Sequence, residues 1–185
     1  VRADKTAYAR ACRIQMDNQD VVSGKPMVQK QSERYLVQNI PAAPLTRREL
    51  DAVYALPFTR RYHPSYEALG GVPAIEEADF SIIHNRGCFG GCNFCAIQLH
   101  QGRRATSRSA DSVVREAEAM THAPGFKGYI HDVGGPTANF RLPSCKEQMK
   151  NGMCAGGKHC LAPQPCGKII VDHREYLGIL RRLRA

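Results

Sequence analysis

Val113, Ala117 and Met120 recur at i, i+4 and i+7 behind Ser109, a pattern that predicts a capped helix with one apolar face. Short apolar runs lie on either side of it. Phe80-Ser81-Ile82-Ile83-His84 precedes the helix, and Gly128-Tyr129-Ile130-His131-Asp132-Val133 follows it after the Pro124-Gly125 break. Strand, helix and strand in that order predict a parallel α/β arrangement. Before Asp79 the pattern is looser. Residues 3–19 predict a helix and residues 28–37 a strand, followed by the connection Pro41-Ala42-Ala43-Pro44. Thr46-Arg47-Arg48-Glu49 has the spacing of a capping box and opens a short helix through Ala55, which Pro57 closes. Phe58 to Pro73 reads as loop. At the other end, Ile169-Ile170-Val171 reads as a third strand or as the lead-in to a last helix. Asp172 is that helix's expected cap, Glu175 its N3 residue, Val171 and Tyr176 a staple, and Leu177, Leu180 and Leu183 its apolar face. The change of character near Asp79 predicts an N-terminal α/β region over 1–78 and a second region over 79–185, interrupted by a Cys-rich insertion at 145–166.

Composition narrows the class. The chain has 185 residues and is 43% hydrophobic, which suits one medium domain with a sizeable core. No apolar run approaches the ~20 residues of a membrane helix, and charge is scattered through the first twenty residues, unlike a secretory signal. A cytoplasmic setting is expected. Val1 at the start and a helical pattern running to Ala185 predict a partial chain, expected to be inactive by itself. The net charge of +9 sits almost wholly in residues 81–185, with fifteen Lys/Arg against seven Asp/Glu. A basic half fits nucleic acid, a phosphorylated substrate or a solvated surface. The cations are dispersed and no nucleic-acid motif accompanies them, so nucleic acid is not favoured.

The eight cysteines carry the chemistry. Structural disulfides do not suit a reducing compartment, and seven of the eight lie between Cys88 and Cys166 in two groups. Cys12 stands alone in a helical segment and reads as a small buried hydrophobe. Cys88, Cys92 and Cys95 follow the spacing C-x3-C-x2-C. Three thiolates leave a tetrahedral zinc one ligand short. They do suit three corners of a [4Fe–4S] cluster whose fourth iron stays open to an outside ligand. Gly87, Gly90 and Gly91 fit a loop whose backbone approaches such a group closely. Three structural thiols, or three ligands completed by a distant fourth, are the alternatives.

Cys145, Cys154, Cys160 and Cys166 are separated by eight, five and five residues. Four thiolates suit either a tetrahedral zinc site or an auxiliary iron–sulfur cluster, and a Gly/Pro/Lys-rich segment orders more readily around a metal than by core burial. A loop with free thiols is the plainer reading. Arg103, Arg104 and Arg108 follow the first group and are expected to be mainly surface or structural, with a carboxylate or other anion as their alternative ligand. His84 and His131 fall at strand ends and receive no catalytic role.

Beyond spacing, Arg86-Gly87-Cys88-Phe89-Gly90-Gly91-Cys92-Asn93-Phe94-Cys95-Ala96-Ile97 resembles the cluster loop of radical S-adenosylmethionine (SAM) enzymes, with aromatic Phe94 before the last cysteine. Ile40-Pro41-Ala42-Ala43-Pro44-Leu45-Thr46, Gly71-Val72-Pro73-Ala74-Ile75-Glu76-Glu77, His100-Gln101-Gly102-Arg103 and His131-Asp132-Val133-Gly134-Gly135-Pro136-Thr137-Ala138-Asn139 resemble the YgiQ family of radical SAM proteins. The resemblance spans essentially the whole chain. It implies an incomplete parallel (β/α) radical SAM barrel preceded by the α/β N-terminal region. It also implies a cluster on Cys88, Cys92 and Cys95, SAM on the open iron, reductive cleavage to a 5′-deoxyadenosyl radical, and an electron donor of flavodoxin or ferredoxin type. Phe94, Gly134 and Gly135 become the expected cofactor contacts. The two glycines stand where the family carries a Gly-Gly-Glu-type loop for the methionyl amino group. Here Pro136 replaces the Glu, which leaves backbone carbonyls, Asp132 or Asn139 to meet that amine. The substrate is left open. RNA modification and a metal-stabilised binding module without catalysis are the rival readings.

Overall fold

The computed structural model describes residues 3–92, 94–135, 140–154 and 159–185. In chain order the strands and α-helices are α1 (Lys5–Asp17), β1 (Met27–Gln31), β2 (Arg34–Gln38), α2 (Arg47–Tyr54), β3 (Ser81–Ile83), β4 (Asn85–Arg86), α3 (Ile97–Gln101), β5 (Thr106–Ser107), α4 (Ala110–Thr121), β6 (Asp132–Gly134), α5 (Lys146–Asn151) and α6 (Arg174–Arg184). Two short 3-10 helices, Pro64–Leu69 and Pro73–Glu77, are each opened by a proline, and the first lies within the stretch expected as loop. They fall into two compact units, each assembled from three stretches of chain. The first comprises Val1–Pro44, Gly87–Ala105 and Leu142–Val171; the second comprises Leu45–Arg86, Thr106–Arg141 and Asp172–Ala185. No helix among the described residues is long and apolar enough to cross a membrane.

In the first unit, Asp4 caps α1 by accepting from the backbone N–H groups of Thr6 and Ala7. Residues 28–37 make a hairpin rather than one strand: β1 and β2 pair antiparallel from Met27↔Gln38 to Gln31↔Arg34. The turn is Ser32-Glu33, with Ser32 at φ 51°. A two-residue hairpin turn usually declares itself by Gly or Asn, and neither is present. The Cys-rich segment contains α5, a helix too short for its periodicity to show. Ile169–Val171 forms no strand; Ile170 instead donates its N–H to the Ser144 carbonyl at 2.8 Å.

The second unit holds the expected strand–helix–strand. β3 and β6 pair in parallel, Ser81↔Asp132, Ile82↔Val133 and Ile83↔Gly134, with α4 as the connection between them. Ser109 caps α4 by accepting from Ser112 N–H at 3.1 Å. Val113, Ala117 and Met120 are buried with Phe80, Ile82 and Ile179 in one cluster, against which Phe126, Ile130, Val133 and Leu183 pack. Phe80 and Phe126 meet edge to face at 5.4 Å. The Thr46–Glu49 capping box forms with both of its bonds. The parallel α/β class therefore holds, and the described residues contribute one parallel pair to it.

The last helix differs from expectation. It starts at Arg174 with His173 as cap, and Asp172 accepts from Arg174 N–H instead. Its buried side is Ile179 with partly buried Leu183, while Leu177 is 48% exposed. Tyr176 belongs to the same side and donates its hydroxyl to the Val133 carbonyl at 2.8 Å. Hydrophobic spacing alone selects Leu177–Leu180–Leu183, but the partner surface of α4 and β6 selects the neighbouring stripe.

Two buried arginines tie this unit together. Arg108 donates to the Ile83 carbonyl at 2.9 Å and to Ser112, pairs with Glu116, and lies 4.0 Å over the Tyr54 ring. Burial pulls its pKa down to about 10, which leaves it charged at neutral pH. Arg141 donates to Glu175 at 3.1 Å and contacts the His84 ring nitrogen at 2.9 Å. Arg108 is thus a structural residue, as is His84. Replacing Ile82, fully buried between α4 and the parallel pair, by Ala is expected to cost about 2–5 kcal/mol of unfolding free energy in urea titration. Ile83→Thr, on a residue that is half exposed, is expected to stay within about 0.5 kcal/mol.

Candidate metal centre

The cysteine loop lies in the first unit and is pinned at its start. Gly87 donates its N–H to the Gln101 side chain at 3.2 Å, and Cys88 donates to the Gly102 carbonyl at 3.0 Å. Gly87 has φ 80°, and a Cβ there would sit 2.2 Å from the Arg104 carbonyl oxygen. Only glycine permits both that dihedral and that approach. The loop then turns around Gly90. Gly90 donates its N–H to Cys88 Sγ at 3.4 Å. A Cβ on Gly90 would lie 3.4 Å from Cys88 Sγ and 3.7 Å from Cys92 Sγ, so both sulfurs flank this residue. Cys95 N–H bonds to the Cys92 carbonyl at 3.1 Å, and α3 follows. Phe89 is fully buried and anchors the loop, whereas Phe94 is 93% exposed. All three thiols are free. Among the described residues, no three His, Cys, Asp or Glu side chains gather closely enough to form a ready metal site, at this loop or elsewhere.

The Cys-rich segment packs onto the loop within the same unit. Leu161 Cδ1 would touch a Cβ on Gly90 at 3.7 Å. Gly91, at φ 71°, leaves room for two polar side chains: a Cβ there would be 2.2 Å from His159 Nδ1 and 3.1 Å from Arg103 Nη2. Arg103 is only 6% exposed, and its Nε has no hydrogen-bond partner; His159 Nδ1 is likewise buried and unpartnered. Among the described residues no carboxylate lies within ion-pair reach of Arg103, although its peptide carbonyl is held by Gln148 Nε2 at 2.7 Å. Burial pulls the Arg103 pKa down, and Cys160, Asp20, Cys154 and Cys88 act in the opposite direction. One guanidinium is therefore in electrostatic reach of both cysteine groups.

Within the second group, Ser144 Oγ donates to Cys145 Sγ at 3.9 Å, and Ser144 is also among the groups that act on the Cys160 thiol. Burial pushes the Cys160 thiol up, with Cys154 and Cys145 adding to it while Ser144 and Arg103 oppose it. Cys166 joins this region through its N–H, which donates to the Cys160 carbonyl at 2.9 Å, and its side chain is exposed. The structure thus brings Cys145, Cys154 and Cys160 into one neighbourhood without the distances of a formed site. Cys12 is partly exposed rather than buried.

These residues fit an anionic metal–thiolate group. A buried cation without a carboxylate costs several kcal/mol unless another anion faces it. Cys88, Cys154 and Cys160 are its thiol neighbours, and thiols carry stable negative charge when a metal holds them as thiolates. The Gly90 N–H on Cys88 Sγ is the kind of bond that stabilises a cluster sulfur. Sequence reasoning passed over His159, because a single histidine beside a cysteine carries no spacing signal.

The other expected contacts lie in the second unit. Gly134 ends β6, and a Cβ on Gly135 would fall 1.4 Å from Asn85 Oδ1, so close packing on Asn85 explains that glycine by itself. Asn85 is buried, donates to the Phe140 carbonyl at 2.8 Å, and leaves Oδ1 unpartnered. Pro136 and Asn139 lie outside the described residues. Arg104 is partly buried with Nε unpartnered. A cleft of about 530 Å³ between Tyr54–Arg61 and α4 contains no cysteine, and its Glu116 is shared by Arg60 and Arg108. Gly87→Ala is expected to cost more than about 1 kcal/mol in thermal or urea unfolding, through its φ and the Arg104 carbonyl. Gly167→Ala, which meets nothing within 4 Å, is expected to change stability by less than about 0.5 kcal/mol.

Residues 1–81 match the radical SAM N-terminal family, and residues 82–151 match the radical SAM superfamily. A UPF0313 protein of Clostridium botulinum (strain Okra / Type B1) is 55% identical over 184 residues, which is 100% of this chain and 28% of that protein. A UPF0313 protein of Clostridium perfringens (strain ATCC 13124) is 56% identical over 184 residues, again 100% of this chain and 28% of the relative. The chain therefore spans under a third of the length of these curated relatives. No solved structure matches it. With both family matches in chain order and the cysteine loop inside the second, the chain belongs to the YgiQ family of radical SAM proteins.

Proposed function

We propose that this chain carries the cofactor-binding part of a radical SAM enzyme, with Cys88, Cys92 and Cys95 as the three protein ligands of a [4Fe–4S] cluster. The observation that carries the reading is the pinned cysteine loop, where two thiols flank Gly90 and the buried Arg103 reaches Gly91 between them in sequence. A cluster held by these three thiolates would supply the one-electron reduction that cleaves SAM to methionine and a 5′-deoxyadenosyl radical, the chemistry that the family resemblance implies. The chain's own residues supply the rest. The N–H groups of Gly87 and Cys88 fix the loop on Gln101 and Gly102, and Phe89 closes its inner side. Exposed Phe94 offers an aromatic surface for cofactor contact. The reductant belongs to the one-electron flavodoxin or ferredoxin class.

We also infer that Cys145, Cys154, Cys160 and Cys166 are ligands of a second centre, supported by Ser144 standing against both Cys145 and Cys160. Metal analysis after anaerobic reconstitution separates its two chemistries. About one zinc beyond the iron of the first cluster indicates a tetrahedral thiolate site, and additional iron with sulfide indicates an auxiliary cluster. The same metal content in wild type and in a Cys145→Ser/Cys160→Ser double variant contradicts the second site.

The enzymatic reading is tested with dithionite, SAM and the reconstituted protein at the full length of its curated relatives. 5′-Deoxyadenosine is expected, and Cys88→Ala, Cys92→Ala or Cys95→Ala is expected to abolish it. A triple Cys→Ala protein that still forms 5′-deoxyadenosine contradicts the assignment. Iron retention with no SAM cleavage under any reductant supports a metal-stabilised binding module instead.

A further inference from the structure

A buried arginine and a partly buried histidine converge on Gly91 from separate stretches of the first unit. Arg103 comes from the segment just after α3, and His159 from the Cys-rich segment. Arg103 Nη2 lies 3.1 Å and His159 Nδ1 2.2 Å from the position a Cβ on Gly91 would occupy. Both carry a buried nitrogen without a hydrogen-bond partner among the described residues, Nε in Arg103 and Nδ1 in His159. Arg103 is more than nine-tenths buried. Its guanidinium cannot shed its charge at neutral pH, so an anion must compensate it. Its charged and titratable neighbours from each packed segment are Cys88 of the loop, Cys154 and Cys160 of the Cys-rich segment, and Asp20 after α1. Asp20 Oδ1 is engaged within its own turn, accepting from the N–H groups of Val22 and Ser23 at 2.9 and 3.0 Å and from the Ser23 hydroxyl at 3.2 Å. Its carboxylate acts on Arg103 without a direct ion pair among the described residues, and the other neighbours are the thiols. Gly91, inside the cysteine motif, has the one side chain small enough to let both donors reach the loop.

We propose that Arg103 and His159 form a buried donor pair on the Gly91 face of the cysteine loop, which holds the negative charge of the loaded cluster and sets its reduction potential. This rests on the cluster assignment above. Reduction adds one electron from an outside donor and makes the cluster more negative. A fixed positive charge beside it favours the reduced state, and a neutral side chain of the same length does not. Arg103 is a positioning residue here, since it acts on the cluster and not on SAM.

The test uses the full chain, reconstituted anaerobically as wild type, Arg103→Gln, Arg103→Lys and His159→Gln. Iron per chain and the midpoint potential are read by redox titration monitored by electron paramagnetic resonance. Arg103→Gln is expected to lower the reduction equilibrium constant at least tenfold, about 59 mV for one electron. Arg103→Lys, which keeps the charge, is expected to retain most of the wild-type potential, and His159→Gln to shift it less than Arg103→Gln. An unshifted Arg103→Gln potential overturns the proposal, as do equal shifts in Arg103→Gln and Arg103→Lys. If Arg103→Gln sheds its iron, Arg103→Lys decides. Wild-type iron content and potential in Arg103→Lys support the charge role, and loss of iron there too assigns Arg103 to packing and overturns it. A wild type that takes up no iron removes the cluster assignment itself. A wild type with a normal cluster and insensitive variants removes only this inference.

Discussion

A guanidinium buried without an ion pair is among the costlier groups a fold can hold, and among the described residues Arg103 is such a group. The contrast with the other buried arginines is instructive. Arg108 has Glu116 and Arg141 has Glu175, each with further carbonyl or hydroxyl acceptors. Arg103 has Asp20 at a distance and three thiols. A neutral thiol is a weak acceptor and a thiolate is a full anion, so the stability of this region depends on what the cysteines hold. The Cys-rich segment, the cysteine loop and the stretch after α3 are thus linked through one charge, and metal loading is expected to order them together.

The second constraint is backbone approach. The loop can lie against residues 101–104 only because Gly87 lacks a side chain, and it can admit Arg103 and His159 only because Gly91 does. These two glycines are spaced around Cys88 so that the thiol emerges between a pinned start and an open turn. The motif is a packing arrangement as much as a ligand spacing.

Much of the second unit was legible in the chain. The Val113–Ala117–Met120 period and the Ile82 run gave α4 and β3 because burial on one face leaves a regular mark. Local chemistry alone set the Thr46 capping box. The hairpin at 27–38 was read as one strand because its turn, Ser32-Glu33, contains neither Gly nor Asn. The face of α6 was read one stripe off because a helix rich in leucine leaves the choice of stripe to its tertiary partner, which here buries Ile179. At the site, cysteine spacing identified the loop. Gly135 carries a packing role against Asn85 that spacing does not show, and the meeting of His159 with Arg103 over Gly91 depends on long-range folding that leaves no local trace.

The account stands on three protein thiolates and one iron left open to SAM. Mössbauer spectroscopy of the chain reconstituted with ⁵⁷Fe tests this most directly. The account predicts one iron site distinct from the other three, whose signal changes on addition of SAM while the rest stay fixed. Four irons with all-thiolate signals that do not respond to SAM would contradict it.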